Sequence, residues 1–130
     1  MNPVAESLVI LPSTSRGDTT TMDYENNRWR GADFFVKQTA QGSTLAFASV
    51  KIQGRVPGTT EYYTLGTISP ATAATFTKRL RIYPGASTAL NSTGLDPTVL
   101  NDFLPSIWRV ASTNVSTSSV TFSVSAHLFA

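Results

Sequence analysis

Residues 45–65, LAFASVKIQGRVPGTTEYYTL, read as two strands joined by a turn. Gly54, Pro57 and Gly58 supply the break, since glycine tolerates positive φ and proline presets φ, while the flanks alternate apolar with polar. This is the expected central hairpin, its second strand running over 61–68 (EYYTLGTI). Ala46, Ala48, Val50 and Ile52 share one face at period two, yet Leu45 and Phe47 fall on the other, where a half-solvated strand is polar. Either that end is covered on both sides or a bulge shifts the register. The interface alternative makes Leu45 and Phe47 contact residues.

Outward from the hairpin, the same two-residue period recurs. Residues 7–13 (SLVILPS) set Leu8 and Ile10 against Val9 and Leu11, a strand apolar on both sides; residues 1–7 before it read as an arm. A turn at 16–18 leads to a Thr-rich strand over 19–24, and NNRWRG at 26–31 is the next break. Residues 32–39 (ADFFVKQT) and 75–83 (TFTKRLRIY) follow as strands, the latter with Phe76, Leu80 and Ile82 inward and Thr77, Arg79, Arg81 and Tyr83 outward. Lys78 interrupts the inward face near one end, where a long stem can snorkel. Residues 69–74 are a loop and 86–105 lack alternation; within them Asp96-Pro97 predicts a short helix to Phe103, with Asp as N-cap and Pro at the first helical position.

Residues 107–113 and 119–128 are expected to close the domain as a last hairpin. The second of these is the cleanest strand: Val120, Phe122, Val124, Ala126 and Leu128 inward, Thr121, Ser123, Ser125 and His127 outward. About seven or eight short strands at spacings of about ten residues, with at most one short helix, predict an all-β fold: an antiparallel β-sandwich or jelly roll over 8–130. Trp108 is expected in the core.

Composition agrees. A chain of 130 residues suits one core. Ser and Thr make up about a quarter of it, which favours strands over helices. Only 14% of residues are charged, and the net charge of +2 is too small for wrapping nucleic acid. No cysteine is present, so neither disulfides nor thiolate metal sites are available. The first residues carry no basic leader and no stretch reaches membrane-spanning length, so an unexported, soluble product is expected.

Chemistry is sparse. His127 is the single histidine and stands among Ser and Thr on a strand face, expected as a solvated residue rather than a base. No nucleophile elbow, zinc-protease helix or phosphate-cradling glycine loop occurs, and no catalytic residue, cofactor or metal is expected. The tripeptides Asn91-Ser92-Thr93 and Asn114-Val115-Ser116 match the glycosylation pattern by chance in a Ser/Thr-rich chain. Arg28-Trp29-Arg30 and Lys78-Arg79-Leu80-Arg81 mix cations with aromatics as nucleic-acid binders do, but alternation separates Lys78 from Arg79 and Arg81. Arginine and aromatic residues are equally the types enriched in protein interfaces.

Several segments carry a resemblance: Leu11-Pro12-Ser13, Arg30-Gly31, VKQTA at 36–40, Ile52-Gln53-Gly54, Tyr62-Tyr63-Thr64, LRIYPG at 80–85 and LPSIWRV at 104–110. In this order the chain resembles a family of small virion structural proteins of tailed bacteriophages, most like a capsid decoration or cement protein. The hairpin turn departs from the family's Asp-Pro-x-Ser-Gly-Lys type, reading RVPGTTE at 55–61, and Trp29 precedes Arg30-Gly31; turn and rim contacts are expected to differ accordingly.

What the resemblance implies is a protein made in the host cytoplasm and located in the virion, on the capsid surface. Its partners would be the major capsid protein and copies of itself, as a homo-trimer, with no direct nucleic acid and no membrane. The expected contacts are Val4, Leu8, Ile10, Arg30, Leu45, Phe47, Arg55, Tyr63, Arg79, Arg81 and Tyr83. Alternatives are a neck or tail ring component, or a carbohydrate-binding module using Trp29, Tyr62, Tyr63 or Trp108 as a platform.

Overall fold

The structure, a computed structural model, describes residues 5–41, 47–69, 75–85, 98–114 and 120–130. Ten strands form: β1 (Ala5–Arg16), β2 (Thr19–Thr20), β3 (Tyr24–Glu25), β4 (Gly31–Gln41), β5 (Phe47–Arg55), β6 (Tyr62–Ile68), β7 (Phe76–Ile82), β8 (Thr98–Leu100), β9 (Ile107–Asn114) and β10 (Val120–Phe129). They make two mostly antiparallel sheets, consistent with the β-sandwich that the alternation predicts. Sheet A has the order β1-β10-β4-β7-β8; sheet B runs β2-β9-β5-β6, with β3 also on β9.

The central hairpin is present as the antiparallel β5–β6 pair. Its turn is closed by Val56 N donating to Glu61 O at 2.8 Å and Thr59 N to Val56 O at 3.1 Å, with Gly58 at φ +74° where other residues are strained. Val50 and Ile52 are fully buried. The parity slip coincides with a register shift against β9 between Phe47 and Ser49, which supplies the bulge. Leu45 lies outside the described residues, and Phe47 is placed by its backbone alone.

A second bulge resolves the doubly apolar first strand. Leu8 pairs with Ala126 and Val9 with Ser125, but the next partner of Val124 is Leu11, leaving Ile10 extra. Ile10 is therefore buried, and Leu8 and Leu11 both pack against the core. Pro12 follows in another irregularity on this edge strand, where its missing N–H costs no ladder bond. The arm is also shorter than expected, because Ala5, Glu6 and Ser7 already pair with Phe129, Leu128 and His127; only 1–4 precede the strand.

Three further expectations change. The strand over 19–24 divides into β2 and β3, and between them Thr21 keeps contact with β9: its N donates to Val110 O and its Oγ1 accepts from Val110 N. The last two strands are not a hairpin. Each already has neighbours on both edges, β9 between β2/β3 and β5, β10 between β1 and β4, so the chain crosses from one sheet to the other between them. The helix predicted from Asp96 is replaced, from residue 98, by β8, which runs parallel to β7; Asp96 and Pro97 lie outside the described residues, as does most of 69–74. The extended form seats Leu100 against Gly66, where an added Cβ would meet it at 2.5 Å.

The core sits between the sheets. Trp108 of β9 is 2% exposed, stacks on Tyr24 with centroids 4.5 Å apart and meets the Phe34 edge of sheet A at 5.5 Å. Each such buried side chain is worth about 1.5–3 kcal/mol. All five inward positions of β10 are buried.

Candidate functional site

The outward residues of sheet A form rows across the strands. One row is Ser7, His127, Asp33, Arg81 and Val99; the next is Val9, Ser125, Phe35 and Arg79; beyond it stand Ser123, Lys37 and Thr77. Register, set by the bulge in β1 and the inward face of β10, brings these together from distant parts of the chain.

Asp33 is the centre. It is only 3% exposed although it faces outward. Its carboxylate accepts from Arg81 Nε at 2.7 Å and Arg81 Nη2 at 2.8 Å, a bidentate pair, while Arg79 Nη1 approaches at 3.7 Å. The hydrogen bond to Asp33 holds the Arg81 pKa above its ordinary value, against the opposing effect of burial. Arg79 Nε is buried without a hydrogen-bond partner. Around this pair lie rings: Arg81 over Phe129 at 6.0 Å, Phe129 edge-on to Tyr83, and Phe35 edge-on to His127 at 5.4 Å.

The first row sets Ser, His and Asp side by side, and Ser7 Oγ lies 3.0 Å from His127 Nδ1. A nucleophilic relay needs the imidazole to bridge the hydroxyl and the carboxylate. Here Asp33 is instead tied to Arg81 through both oxygens. The arrangement is an ion pair flanked by a Ser–His contact.

Sheet B carries a different outward network near the hairpin tip. Tyr62 donates to both oxygens of Asp23 at 2.7 Å, Arg55 Nη1 reaches Asp23 at 3.4 Å, and Arg55 Nε donates to Thr59 O at 2.6 Å. Arg109 lies 3.5 Å above the Tyr62 ring and donates to Gln53 Oε1 at 2.9 Å. The hydrogen bond to Asp23, with burial behind it, raises the Tyr62 pKa above 10.0.

One end of the sandwich is knitted by Asn26. Its Oδ1 accepts from Trp29 N at 2.8 Å and its Nδ2 donates to Trp29 O at 2.7 Å, with Leu104 O and Pro105 O at 3.2 and 3.3 Å. Two glycines let backbones close up there: a Cβ on Gly31 would fall 2.2 Å from Ile82 O, and one on Gly54 would fall 2.6 Å from the Tyr63 ring and 2.7 Å from Pro105.

The structure distributes the expected contact residues unevenly. Arg79, Arg81 and Tyr83 share the sheet A face; Arg55 belongs to the sheet B network; Arg30 and Tyr63 are exposed near the Asn26 end. Ile10 is a core residue and not free for a partner, and Leu8 is half-buried against that core; Val9, 65% exposed, takes the outward place. Val4 and Leu45 lie outside the described residues. Trp108 and Trp29 are buried, and Arg109 covers one face of Tyr62, which removes these three from an open sugar platform. Asp33, Asp23, Asn26 and Arg109 were not singled out by sequence reasoning. For Asp33 and Arg109 the only signal there is a polar residue at outward parity, common to every strand; Asp23 and Asn26 stand outside the strands and carry not even that.

Among the described residues no three His, Cys, Asp or Glu side chains group to hold a metal ion. Comparison of the chain with protein-family models, curated proteins and solved structures gave no match.

Proposed function

We propose that this domain is a virion structural protein of a tailed bacteriophage that decorates the outer surface of the head, as a trimer, and cements neighbouring subunits of the major capsid protein. The observation that carries this is where the resembling segments meet. Gly31 of Arg30-Gly31 packs on Ile82 and Tyr83 of LRIYPG, Gly54 of Ile52-Gln53-Gly54 packs on Tyr63 of Tyr62-Tyr63-Thr64 and on Pro105 of LPSIWRV, and Leu104 N donates to Arg30 O. Five of the seven resembling segments, scattered in sequence, pack together at one end of the sandwich, as motifs of a common scaffold would.

The mechanism is linkage. A domain that binds only the assembled lattice stabilises it by RT ln(1 + L/Kd), where L is its free concentration: about 2.7 kcal/mol per site at a hundredfold excess over Kd. Thermal rupture of heads with and without the protein tests the proposal. A higher rupture temperature with bound protein is expected; unchanged rupture and no head binding would overturn it, and density arranged as a six- or twelvefold ring at the portal would replace it with a neck component.

A further inference from the structure

We infer that the outer face of sheet A, centred on Arg79, docks an acidic protein surface, with aspartate or glutamate carboxylates of the partner completing the ion pairing that Asp33 leaves unfinished. The identification of that partner as the head lattice rests on the function proposed above; the docking face itself does not.

Charge is the first ground. Among the described residues, the outward rows of sheet A hold three basic side chains, Lys37, Arg79 and Arg81, against the single carboxylate of Asp33. That surplus of two equals the formal net charge of the whole chain, +2, so cations and acids elsewhere balance. The second ground is geometry. Arg81 occupies both oxygens of Asp33, so Arg79 is left with one long Nη1 contact at 3.7 Å; its Nε is buried beyond a partner's reach, and the 20% of the side chain that stays exposed is the part an outside acceptor meets. An under-coordinated guanidinium in a half-buried setting gains more from an incoming carboxylate than a solvated one does, because its desolvation has already been met by the fold. The third ground is the surround: Phe35 stands opposite Arg79 in the register and exposed Val9 shares their row, giving apolar seating around a cation, as in the centre of protein interfaces.

A protein carboxylate fits better than nucleic acid. Phosphate backbones are bound by many cations arrayed along a strand, whereas here only three cations lie within neighbouring rows.

The test exchanges the same residue type on opposite faces. Lys37→Gln on sheet A and Lys51→Gln on sheet B remove one charge each, and Arg79→Gln removes the central cation. Cosedimentation with heads lacking the protein is expected to weaken about tenfold or more for Arg79→Gln and about two- to fivefold for Lys37→Gln, with Lys51→Gln at the wild-type value and all binding falling with salt. Lys37 is exposed, so its variant folds whatever happens to Arg79→Gln. Heads bound equally by all four proteins, or Lys51→Gln weakening as much as Lys37→Gln, would overturn the face while leaving decoration standing. In parallel, an oligoglutamate peptide and a single-stranded DNA oligonucleotide of equal charge are titrated by NMR. Peptide-induced shifts on β4 and β7 that vanish in Arg79→Gln support the site even where heads do not bind, in which case decoration falls; tighter binding of the oligonucleotide would overturn the carboxylate assignment.

Discussion

The outer faces of the two sheets each set one aspartate among arginines, and they end in opposite states. On sheet B, Asp23 is satisfied by the Tyr62 hydroxyl and Arg55, and Arg109 by the Tyr62 ring and Gln53. The network ties the β5–β6 turn to the connection between β2 and β3 and leaves each of these groups a partner within the subunit. On sheet A, Asp33 is nearly buried and matched by Arg81, while Arg79 keeps unfilled hydrogen-bonding capacity. A closed network serves the fold; an open one holds capacity for something outside it.

The comparison breaks first at the aspartates. Asp33→Ala leaves two neighbouring guanidinium groups without their carboxylate and is expected to cost about 2–3 kcal/mol, less than a fully buried pair because the Arg81 side chain is 40% exposed. Asp23→Ala, whose pair is about a third exposed, is expected to cost about 1 kcal/mol. Urea unfolding of both variants checks the order; equal losses would make the two faces alike. Arg109→Ala comes next, at about 0.5–1 kcal/mol for a partly exposed cation on a ring, with no effect on head binding.

The smallest effect is pH-dependent. Asp23 accepts the Tyr62 proton, so the folded chain holds that proton more tightly than the unfolded one. Its contribution is complete below the ordinary tyrosine value of 10.0 and is lost as pH rises through the higher folded value. Tyr62→Phe is therefore less stable than wild type at neutral pH, and the gap closes in alkali; a gap constant across that range would remove the Asp23 hydrogen bond from the account.

Much of this fold is legible in the chain because strand period is a local property. Val120 to Leu128 alternate and are inward in the structure, and Val50 and Ile52 follow the same rule. Pairing is not local. Nothing within residues 107–128 says that β9 and β10 belong to different sheets, and Asp96-Pro97 reads as a helix start because the edge of β7 that β8 covers lies outside the local window that sets a helix cap. Bulges hide for the same reason: Leu8, Ile10 and Leu11 all turn to the core only because β1 carries Ile10 as an extra residue against consecutive partners of β10. The site shares that limit. Arg79, Arg81 and Tyr83 were visible as an outward cationic face, but Asp33, which decides which arginine is left open, is placed opposite Arg81 only by register.

The orientation of the domain in a reconstructed phage head separates the two faces. If the proposed decoration holds, density is expected on the outer head surface with β4 and β7 of sheet A turned toward the lattice and a partner carboxylate beside Arg79. Density with that face turned to solvent and sheet B on the lattice would contradict the docking face assigned to sheet A.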